Sequence, residues 1–502
     1  MSKIVESYLN TYGPSLTSDV AEHLAKVHHI KPATARKQVS RSGGVVKRLA
    51  YITFPKRARF LYLEKDFGSP MYWRNLVDAL LSTKSAYGYA LAALNARGGI
   101  VPAAHFQIAC GAPLKQAKHL SPNAILERLQ QAQLVEMKNV PGLGECVVLT
   151  QSDSNIDWFV SDIRARLITE SVVLAAVRDW VKNLGIVSYD TVATRDSGKL
   201  PKVGTFAWDL TAPSYLSFML KRSKDGPPKP GFVACDIFLG QPITKAGMEP
   251  FVNKCKMLRS LRNVGSCMQI FVASSYSKEA FVFAKQNGII PATPKNLFGK
   301  EVADGLTELT SVLKQAAVTS IDPEAFDSLF QKLGKIEGAS NQIRGTLFEF
   351  FTAQLLRKTT SSHVLMNRKY KAEIKGDTKE AEADVVCVSG DTSTTFVECK
   401  GYSPYAVIPD KEFLHWLHHQ VPVLFKAARA HPDWKNHKIH FAFWATGGLS
   451  EEIQAIFSAA KAKIKSSKYS LELKMGDDIH ALCEATKDKS LIEAFQSHYM
   501  RK

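Results

Sequence analysis

The first 68 residues carry short apolar patterns that predict three helices followed by a hairpin. Apolar residues recur at helical spacing from Ile4 to Tyr12, and a second helix begins at Thr17 or Ser18, either of which is a suitable N-cap. A third helix over 32–42 opens with a proline in its first turn, where the missing N–H has no helical partner to lose. The segment 48–66 then has the pattern of two strands joined by a basic turn.

Residues 71–151 repeat this pattern more weakly. We expect a long helix over 75–94, a short one over 101–110 and a third over 121–135, which Ser121 and Pro122 would open. The segment 136–150 would form a second hairpin. This copy is much less basic than the first, so we expect it to pack against other domains instead of DNA.

The helix predicted over 341–358 carries an acidic residue on an almost wholly apolar surface. Leucines and phenylalanines surround Glu349, so the helix is expected to be buried. An ionised carboxylate in such a place needs a cation or several hydrogen-bond donors. A metal ion would supply this, and so would Arg344 or Arg357, which leaves a purely structural interpretation open.

Two β-branched segments joined by Ser-Gly-Asp-Thr-Ser follow, and they place two acids opposite each other. If the turn centres on Asp391, Asp384 and Glu398 face each other across the ladder. Alternation puts Lys400 on the same face as Glu398. Facing carboxylates repel unless a cation lies between them, and Mg²⁺ (or Mn²⁺) prefers such oxygen ligands. We therefore expect a metal site made by Asp384, Glu398 and Glu349, with Lys400 orienting or helping to deprotonate a water.

The E-x-K pattern alone has little specificity, because it occurs four times in the chain. Only the copy at Glu398 and Lys400 has an aspartate one hairpin upstream and a glutamate on a preceding helix. The full order runs from R-G-x-x-x-E, ending at Glu349, through Asp384 to E-C-K. This order resembles the PD-(D/E)XK nuclease superfamily, in particular its Mrr-like restriction endonuclease branch.

The resemblance covers residues 335–502, and it implies a small mixed sheet flanked by helices. In that family the acids bind metal and the lysine, here Lys400, serves the hydrolytic step. The proline of the family motif is absent, since Ala383 precedes Asp384. On a helix expected over 410–431, the resemblance makes two residues possible accessory contacts to phosphate, namely Gln420 and Lys426.

Residues 156–318 repeat the layout of a helix, two strands and a strand–helix tail. An acid stands near the start of the predicted helix, and one stands on each predicted strand: Glu170, Asp209 and Asp236. Phe238 occupies the position of the motif lysine. A nuclease-like copy without that lysine would be catalytically dead and kept for packing, dimerisation or DNA contact. An unrelated α/β domain explains the pattern equally well.

The charge of the chain points to a polyanionic partner. The 502 residues carry a formal net charge of +18, and no acidic residue stands between His23 and Leu63, where ten cations stand. Three helices followed by a basic hairpin resemble a winged helix-turn-helix, whose third helix enters the major groove while the hairpin contacts the backbone. By this resemblance the candidates for DNA contact are Arg36, Lys37, Arg41, Arg57 and Arg59. Protein contacts through the same fold are the alternative.

Other features exclude several classes of protein. No apolar run reaches the length that a membrane span needs, and the first residues lack the layout of a signal peptide. The eight cysteines form no C-x-x-C pair, so we expect reduced thiols and a cytoplasmic protein without a zinc ribbon. No G-x-x-x-x-G-K-[ST] loop is present, so we expect no nucleotide cofactor.

Together these patterns predict a multidomain α/β protein with four domains. Winged-helix modules are expected at 1–68 and 69–155, and restriction-endonuclease-like mixed-sheet α/β/α domains at 156–318, in degenerate form, and 335–502. The function favoured is a metal-dependent DNA endonuclease, with a role in restriction or phage defence implied by the resemblance alone. A repair or junction-processing nuclease, and a non-enzymatic DNA-binding regulator with a decayed nuclease fold, are the alternatives. A double-strand cut would need two active sites and hence favours a homodimer.

Overall fold

A computed structural model of the chain describes residues 2–150, 156–221, 228–316, 328–329, 332–333, 339–360, 362–464 and 468–501. These residues form two compact units of mixed α/β structure. The first comprises 1–139, 145–156 and 181–293, and the second comprises 140–144, 157–180 and 294–502. The predicted division into four domains is finer than these units. Its last boundary, between 318 and 335, falls almost wholly outside the described residues.

Residues 2–68 fold as three helices and a small antiparallel sheet. The helices are α1 (Ser2–Tyr12), α2 (Thr17–Val27) and α3 (Pro32–Arg41), and the strands, in the order β1-β3-β2, are β1 (Ser15–Leu16), β2 (Val46–Arg48) and β3 (Phe60–Leu63). Their apolar faces meet in a core around Val20, Leu24 and Val39, all fully buried. The predicted helices and hairpin strands are confirmed here, although the strands are shorter than expected.

The start of α2 differs from the prediction. Its N-cap is Leu16, and no side chain caps the helix, so neither Thr17 nor Ser18 has that role. The Thr17 hydroxyl oxygen instead accepts the Arg59 N–H at 3.0 Å. This hydrogen bond ties the first turn of α2 to the residue that precedes β3.

Residues 70–149 form further helices with a second three-stranded sheet. The elements are α4 (Pro70–Ser82), α5 (Ala86–Ala96), β4 (Ile100–Pro102), α6 (Ala103–Ala109), α7 (Pro122–Gln131), β5 (Val135–Val140) and β6 (Gly144–Leu149). The sheet has the order β4-β6-β5. The single long helix predicted over 75–94 is wrong, because Ser85 caps a new helix by accepting the Gly88 N–H at 3.0 Å. The predicted opening of α7 by Ser121 and Pro122 is confirmed.

The middle of the chain builds a five-stranded mixed sheet after the long helix α8 (Ile156–Asn183). Its order is β13-β12-β11-β10-β7. The elements are β7 (Ala193–Thr194), a separate hairpin of β8 (Lys202–Val203) and β9 (Phe206–Ala207), then β10 (Leu210–Ser214), β11 (Gly231–Phe238), α9 (Lys245–Arg259), β12 (Cys267–Ala273), α10 (Lys278–Gln286) and β13 (Ile290–Ala292). Helices α11 (Pro294–Phe298) and α12 (Lys300–Ala316) follow in the second unit.

Two predictions for this region are wrong in detail. The strand predicted to carry Asp209, over 205–210, is not one strand, because part of it pairs in the β8–β9 hairpin and Asp209 lies just before β10. Glu170 lies in the middle of α8, where it pairs with Arg166 at 3.6 Å, because the helix begins well before it. The second predicted strand and the helix–strand–helix tail that follows it are confirmed.

The second unit contains a sheet of the same design. After α13 (Ala339–Thr359) come β14 (His363–Ile374), β15 (Asp377–Ser389), β16 (Ser393–Lys400), β17 (Lys438–Ala445) and β18 (Ser470–Lys474), paired in that order. The first two pairings are antiparallel and the last two are parallel. The middle sheet has the same sequence of directions from β7 to β13. The two sheets therefore share strand order, strand direction and the helices between their parallel strands.

Helices cover this second sheet. They are α14 (Asp410–His415), a π-helical turn (Trp416–Gln420), α15 (Val421–Ala430), α16 (Glu451–Lys463), α17 (Gly476–Thr486) and α18 (Lys489–Tyr499). The helix predicted over 410–431 is confirmed as one continuous run that contains the π turn. Pro422 follows this turn and has no N–H to donate, which accounts for the wider hydrogen-bonding there.

Helix α13 packs tightly on the end of β16. Phe348 lies against Tyr499, with 5.3 Å between the centroids of the tilted rings. A Cβ added to Gly401 would overlap Phe348 Cβ and lie 2.7 Å from the Arg344 carbonyl oxygen, closer than real Cβ atoms approach. Only glycine fits at this position. Within the described residues, no helix has both the length and the apolar character that a bilayer crossing requires.

Candidate active site

Asp384 and Glu398 lie at the end of the hairpin that β15 and β16 form. The last residues paired there are Val385 and Val397, so the two acids come one step beyond the ladder. Asp384 Oδ2 accepts the Cys399 N–H at 2.7 Å. The predicted register is confirmed, and it brings the two carboxylates to the same end of the sheet.

Lys400 pairs with the acid two residues before it. Its Nζ lies 2.8 Å from Glu398 Oε1 and 3.8 Å from Glu412 Oε2, near the start of α14. Tyr402 donates its hydroxyl to Glu412 at 2.6 Å. The Glu398 side chain is 7% exposed and that of Lys400 is 22% exposed, so the pair is largely withdrawn from water. Sequence reasoning missed Glu412.

Glu349 reaches the site from the middle of α13. Asn367 Nδ2 donates to its Oε2 at 3.1 Å. The cation that acts on Glu349 most strongly is Arg164, from α8. The sequence suggests Arg344 or Arg357 for this role. Arg344 stands five residues before Glu349 in the sequence, whereas Arg164 comes from a helix that precedes Glu349 by more than 150 residues.

Asn367 occupies an unusual position on β14. The ladder with β15 passes from Met366, opposite Val385, to Arg368, opposite Ala383, so Asn367 faces Asp384 without being paired. Its φ of 48° lies in the left-handed region, which costs energy in a non-glycine residue. The kink thus lies opposite Asp384, and the Asn367 side chain holds Glu349.

The crowding of carboxylates shifts their pKa values. Burial, and after it Glu398 and Glu349, raise the pKa of Asp384 well above its ordinary value. Burial also raises the pKa of Glu349 to about 7, against the opposing effect of Arg164. Burial disfavours the charged form of Lys400, but Glu398 and Asp384 outweigh it and raise the Lys400 pKa. Lys400 is therefore protonated at neutral pH, and its ammonium donates to Glu398.

The donor set of the site suits Mg²⁺ or Mn²⁺, because it consists of carboxylate oxygens. The described part of the chain contains no group of three His, Cys, Asp or Glu side chains already arranged to hold a metal ion. Each of the three carboxylates contacts a protein donor. The raised pKa of Asp384 is the observation that fits a cation, since an added positive charge would favour its ionised form.

Lys426 and Gln420, the two residues expected to contact phosphate, differ in whether the protein already occupies their polar atoms. Lys426 Nζ donates to the Glu373 carbonyl oxygen on β14 at 2.8 Å. Gln420 lies in the π turn, and its Oε1 is buried without a hydrogen-bond partner among the described residues. The structure therefore ties Lys426 to the sheet and leaves phosphate contact by Gln420 a prediction.

The basic residues of the N-terminal module fall into two groups. Some are engaged within the module: Lys26 pairs with Glu22 at 2.7 Å, Lys47 pairs with Glu64 at 3.3 Å, and Arg48 donates to carbonyls at the end of α3. The five expected to contact DNA are all exposed, on α3 and in the β2–β3 connection: Arg36, Lys37, Arg41, Arg57 and Arg59. In that connection Lys56 and Arg57 have φ values of 55° and 60°, which exposes adjacent cations at a strained turn.

The middle sheet ends in the same arrangement of acids. One step beyond the last pair of the β10–β11 ladder lie Asp209 and Asp236. Asp209 Oδ2 accepts the Ile237 N–H at 2.7 Å, the contact that Asp384 makes with Cys399 in the other sheet. The expected likeness between the two regions therefore extends to individual hydrogen bonds.

A lysine from α9 neutralises this second cluster. Lys254 donates to Asp236 Oδ2, to the Ala207 carbonyl at 2.9 Å and to the Ile108 carbonyl at 3.3 Å. Its Nζ also lies 4.1 Å from the centroid of a Trp208 ring. Lys254 is 1% exposed. All three ammonium protons have acceptors inside the protein, so the charge is fixed there.

Arginine completes the cluster on its other side. Arg195 Nη1 lies 2.9 Å from Asp209 Oδ1. Burial opposes the charged form of Asp209, but Arg195 and the Ile237 N–H hold its pKa below the ordinary value. Phe238, which stands where Lys400 stands in the other sheet, is buried and uncharged. The cluster is a closed set of internal ion pairs, in contrast to the partly exposed Lys400.

Comparisons with known proteins add little to this geometry. No protein-family model matches the sequence, and none of the curated proteins matches it significantly. Among solved structures, that of the restriction endonuclease FokI aligns at 10% identity and a TM-score of 0.18, covering 99% of this chain and 88% of the other. A likeness of that strength carries no argument about fold or function.

Several residues at these sites escaped sequence reasoning. Asn367 lies on β14, a strand that the sequence analysis does not predict, although three apolar residues stand together from Val364 to Met366 and apolar residues alternate with charged ones from Tyr370 to Ile374. That alternation was a usable signal for a strand. Arg164 acts on Glu349 from a helix far earlier in the sequence, and Lys254 reaches Asp236 from the helix that follows its strand. No local sequence pattern marks either residue.

We predict that Lys254→Met lowers the free energy of unfolding of the first unit by about 3–5 kcal/mol, because it leaves buried carboxylates without their ammonium. Urea unfolding measures this. Lys256→Met, on the exposed side of the same helix, is the matched control and should change stability by less than about 0.5 kcal/mol. Equal costs for the two variants would contradict the internal ion pair.

We also predict a pH dependence from Glu349. Its pKa rises from 4.5 to about 7 in the folded chain, so between these values the unfolded state is ionised while the folded state keeps the proton. Stability is therefore lost as pH rises through this window. In EDTA, the thermal midpoint of the wild type should fall relative to Glu349→Gln over the same range. Parallel curves for the two proteins would refute the shift.

Proposed function

We propose that this protein is a metal-dependent DNA endonuclease whose active site is made by Glu349, Asp384, Glu398 and Lys400. The observation that carries the proposal is the convergence of two acids at the end of the β15–β16 hairpin, with Lys400 2.8 Å from Glu398 and Glu349 supplied by α13. Like charges gathered in a partly buried place are costly in a purely structural role. A bound divalent cation, which would in turn bind a phosphodiester, would offset that repulsion.

In this proposal each side chain has a separate task. Glu349, Asp384 and Glu398 hold Mg²⁺ or Mn²⁺, which supplies Lewis acidity to the phosphodiester and its attacking water. Lys400, protonated at neutral pH, donates to negative charge that develops on the phosphate. Glu412 and Tyr402 hold the Lys400 ammonium at the edge of the site. Asn367 orients Glu349 through its 3.1 Å hydrogen bond.

DNA is bound, we propose, by the N-terminal module acting as a winged helix. Its three helices and three-stranded sheet have the required order, and the exposed cations lie on α3 and in the β2–β3 connection. In a winged helix these are the elements that contact the major groove and the backbone. The contacts proposed are those of Arg36, Lys37, Arg41, Arg57 and Arg59.

The middle sheet is proposed to be a nuclease-like domain without activity. Lys254 supplies a fixed internal charge to the acids, and Phe238 replaces the lysine of the motif. Each chain would then carry one active site, and a cut through both strands would require two copies of the chain. Restriction or phage defence is the biological role that the family resemblance implies, and repair or junction processing is the nearest alternative.

A DNA-binding regulator is the candidate from a different class. One observation favours it: the carboxylates contact donors of the protein, and the described residues contain no ready group of three metal ligands. A regulator would bind DNA tightly without cutting it. Cleavage assays on the wild type and on a Lys400 variant distinguish the two functions.

Lys400→Ala should reduce the cleavage of plasmid DNA in Mg²⁺ or Mn²⁺ by roughly a hundredfold or more, as the loss of one donor to transition-state charge does elsewhere. DNA binding in Ca²⁺ should be unchanged. Lys474→Ala is the matched control, because Lys474 forms the same E-x-K pair with Glu472, at 3.0 Å, on β18, which lies two strands from β16 in the same sheet. It should cut normally, and EDTA should stop both active proteins.

Either of two results would contradict this assignment. A fully active Lys400→Ala protein would show that the site is elsewhere. A wild type that binds DNA but cuts none of the plasmid or linear substrates would favour the regulator.

Neutralising Arg36, Lys37 and Arg41 to glutamine should weaken DNA binding and flatten its salt dependence. Removing one cation from a phosphate lowers the slope of log K against log salt by about 0.9, so the slope should fall by roughly two to three. Fluorescence anisotropy over a range of salt concentrations measures it. The control replaces three cations that already have protein partners, namely Lys26, Lys47 and Lys65. An equal fall in the control would move the DNA surface elsewhere.

A further inference from the structure

Arg164 belongs to the second unit and lies beside the acids of the candidate site. The charges of Glu349, Glu382 and Asp384 favour its ionised form, and that of Arg368 opposes it. It comes from α8, outside the segment 335–502 that the motif covers. The acid site is therefore completed by a helix that the sequence motif does not include.

The surroundings of Arg164 hold its guanidinium in place. Its Cζ lies 5.9 Å from the centroid of the Phe350 ring, in the range of a cation–π contact. The turn formed by 140–144, in the same unit, lies against its side chain, since a Cβ added to Gly142 would be 3.8 Å from both Cδ and Nη1. An arginine restrained on two sides loses little further conformational freedom when it binds a ligand.

One arm of this guanidinium is not used by the protein. Arg164 Nη2 is buried and has no hydrogen-bond partner among the described residues. Glu349 already accepts a hydrogen bond from Asn367. A buried donor left unpaired costs free energy, and an anion that enters the site would recover it. The planar fork of arginine matches the oxygens of a phosphate.

We propose that Arg164 binds a non-bridging oxygen of a DNA phosphate beside the carboxylates of the active site. The inference rests on the proposed nuclease function for its substrate. A DNA phosphate is the occupant that the chemistry favours, because the guanidinium fork matches phosphate oxygens and lies beside carboxylates that would hold a divalent metal. Arg164 would then be a residue that touches substrate.

The alternative is that Arg164 only balances the charge of Glu349 and Glu382. Charge balance predicts that lysine replaces arginine fully and that no particular phosphate of the substrate matters. Phosphate binding predicts that one phosphate matters, and that it ceases to matter once the arginine is gone. The two ideas therefore differ in whether the effect of altering one substrate phosphate depends on the presence of Arg164.

The experiment crosses Arg164→Gln with single methylphosphonate substitutions along a DNA duplex. Binding is measured by anisotropy in Ca²⁺, and cleavage rates are measured in Mg²⁺. Arg178→Gln is the control, because it removes the same charge from the same helix at a residue paired with Asp179 at 2.8 Å. Thermal unfolding checks that each variant is folded, and Arg164→Lys serves as the conservative variant.

In the wild type and in the control, one methylphosphonate position should weaken binding roughly ten- to a hundredfold, the worth of a charge-assisted hydrogen bond. Arg164→Gln should lose a similar factor on the unmodified duplex and nothing more at that position. Arg164→Lys should recover only part of the loss. An unchanged penalty at every position in Arg164→Gln, or full recovery with lysine, would overturn the proposal. Because binding in Ca²⁺ decides this, a failure to cleave would count against the nuclease function alone.

Discussion

Repulsion between carboxylates at the end of an antiparallel strand pair is the constraint that both sheets must satisfy. In each sheet, the first acid accepts the backbone N–H of the residue that follows the second acid. Asp384 accepts the Cys399 N–H, and Asp209 accepts the Ile237 N–H. This contact fixes the two acids close together and away from bulk water. Positive charge must then balance the carboxylates, and the two sheets differ in the residues that supply it.

In the middle sheet the charge is internal and permanent. Lys254 and Arg195 saturate the acids, and the hydrophobic Phe238 closes the position where a lysine would reach outward. Burial raises carboxyl pKa values in both clusters, that of Asp236 to about 6 and that of Glu349 to about 7. The clusters differ in their lysines, because Lys254 is 1% exposed whereas the Lys400 side chain is 22% exposed. In the proposed function, it is the more exposed cluster that recruits a cation and an anionic substrate.

The sequence is most informative where the physics is local. The turn at Asp391 sets the register, so the juxtaposition of Asp384 and Glu398 follows from the amino-acid sequence alone. Helix propensity by itself misleads at 75–94, where the hydroxyl of Ser85 begins a new helix. Arg164 could not be found in this way, because its place beside Glu349 depends on the packing of helices far apart in the chain.

The glycine that follows the E-x-K motif has a mechanical consequence. Gly401 lets the end of β16 lie directly against α13, at the Arg344 carbonyl and the Cβ of Phe348, with no side chain of its own between them. Lys400 sits next to this contact on the strand, and Glu349 lies little more than one turn along the helix. The two groups are thus mounted on what is effectively a single rigid piece, so a ligand that draws one of them inward carries the other with it.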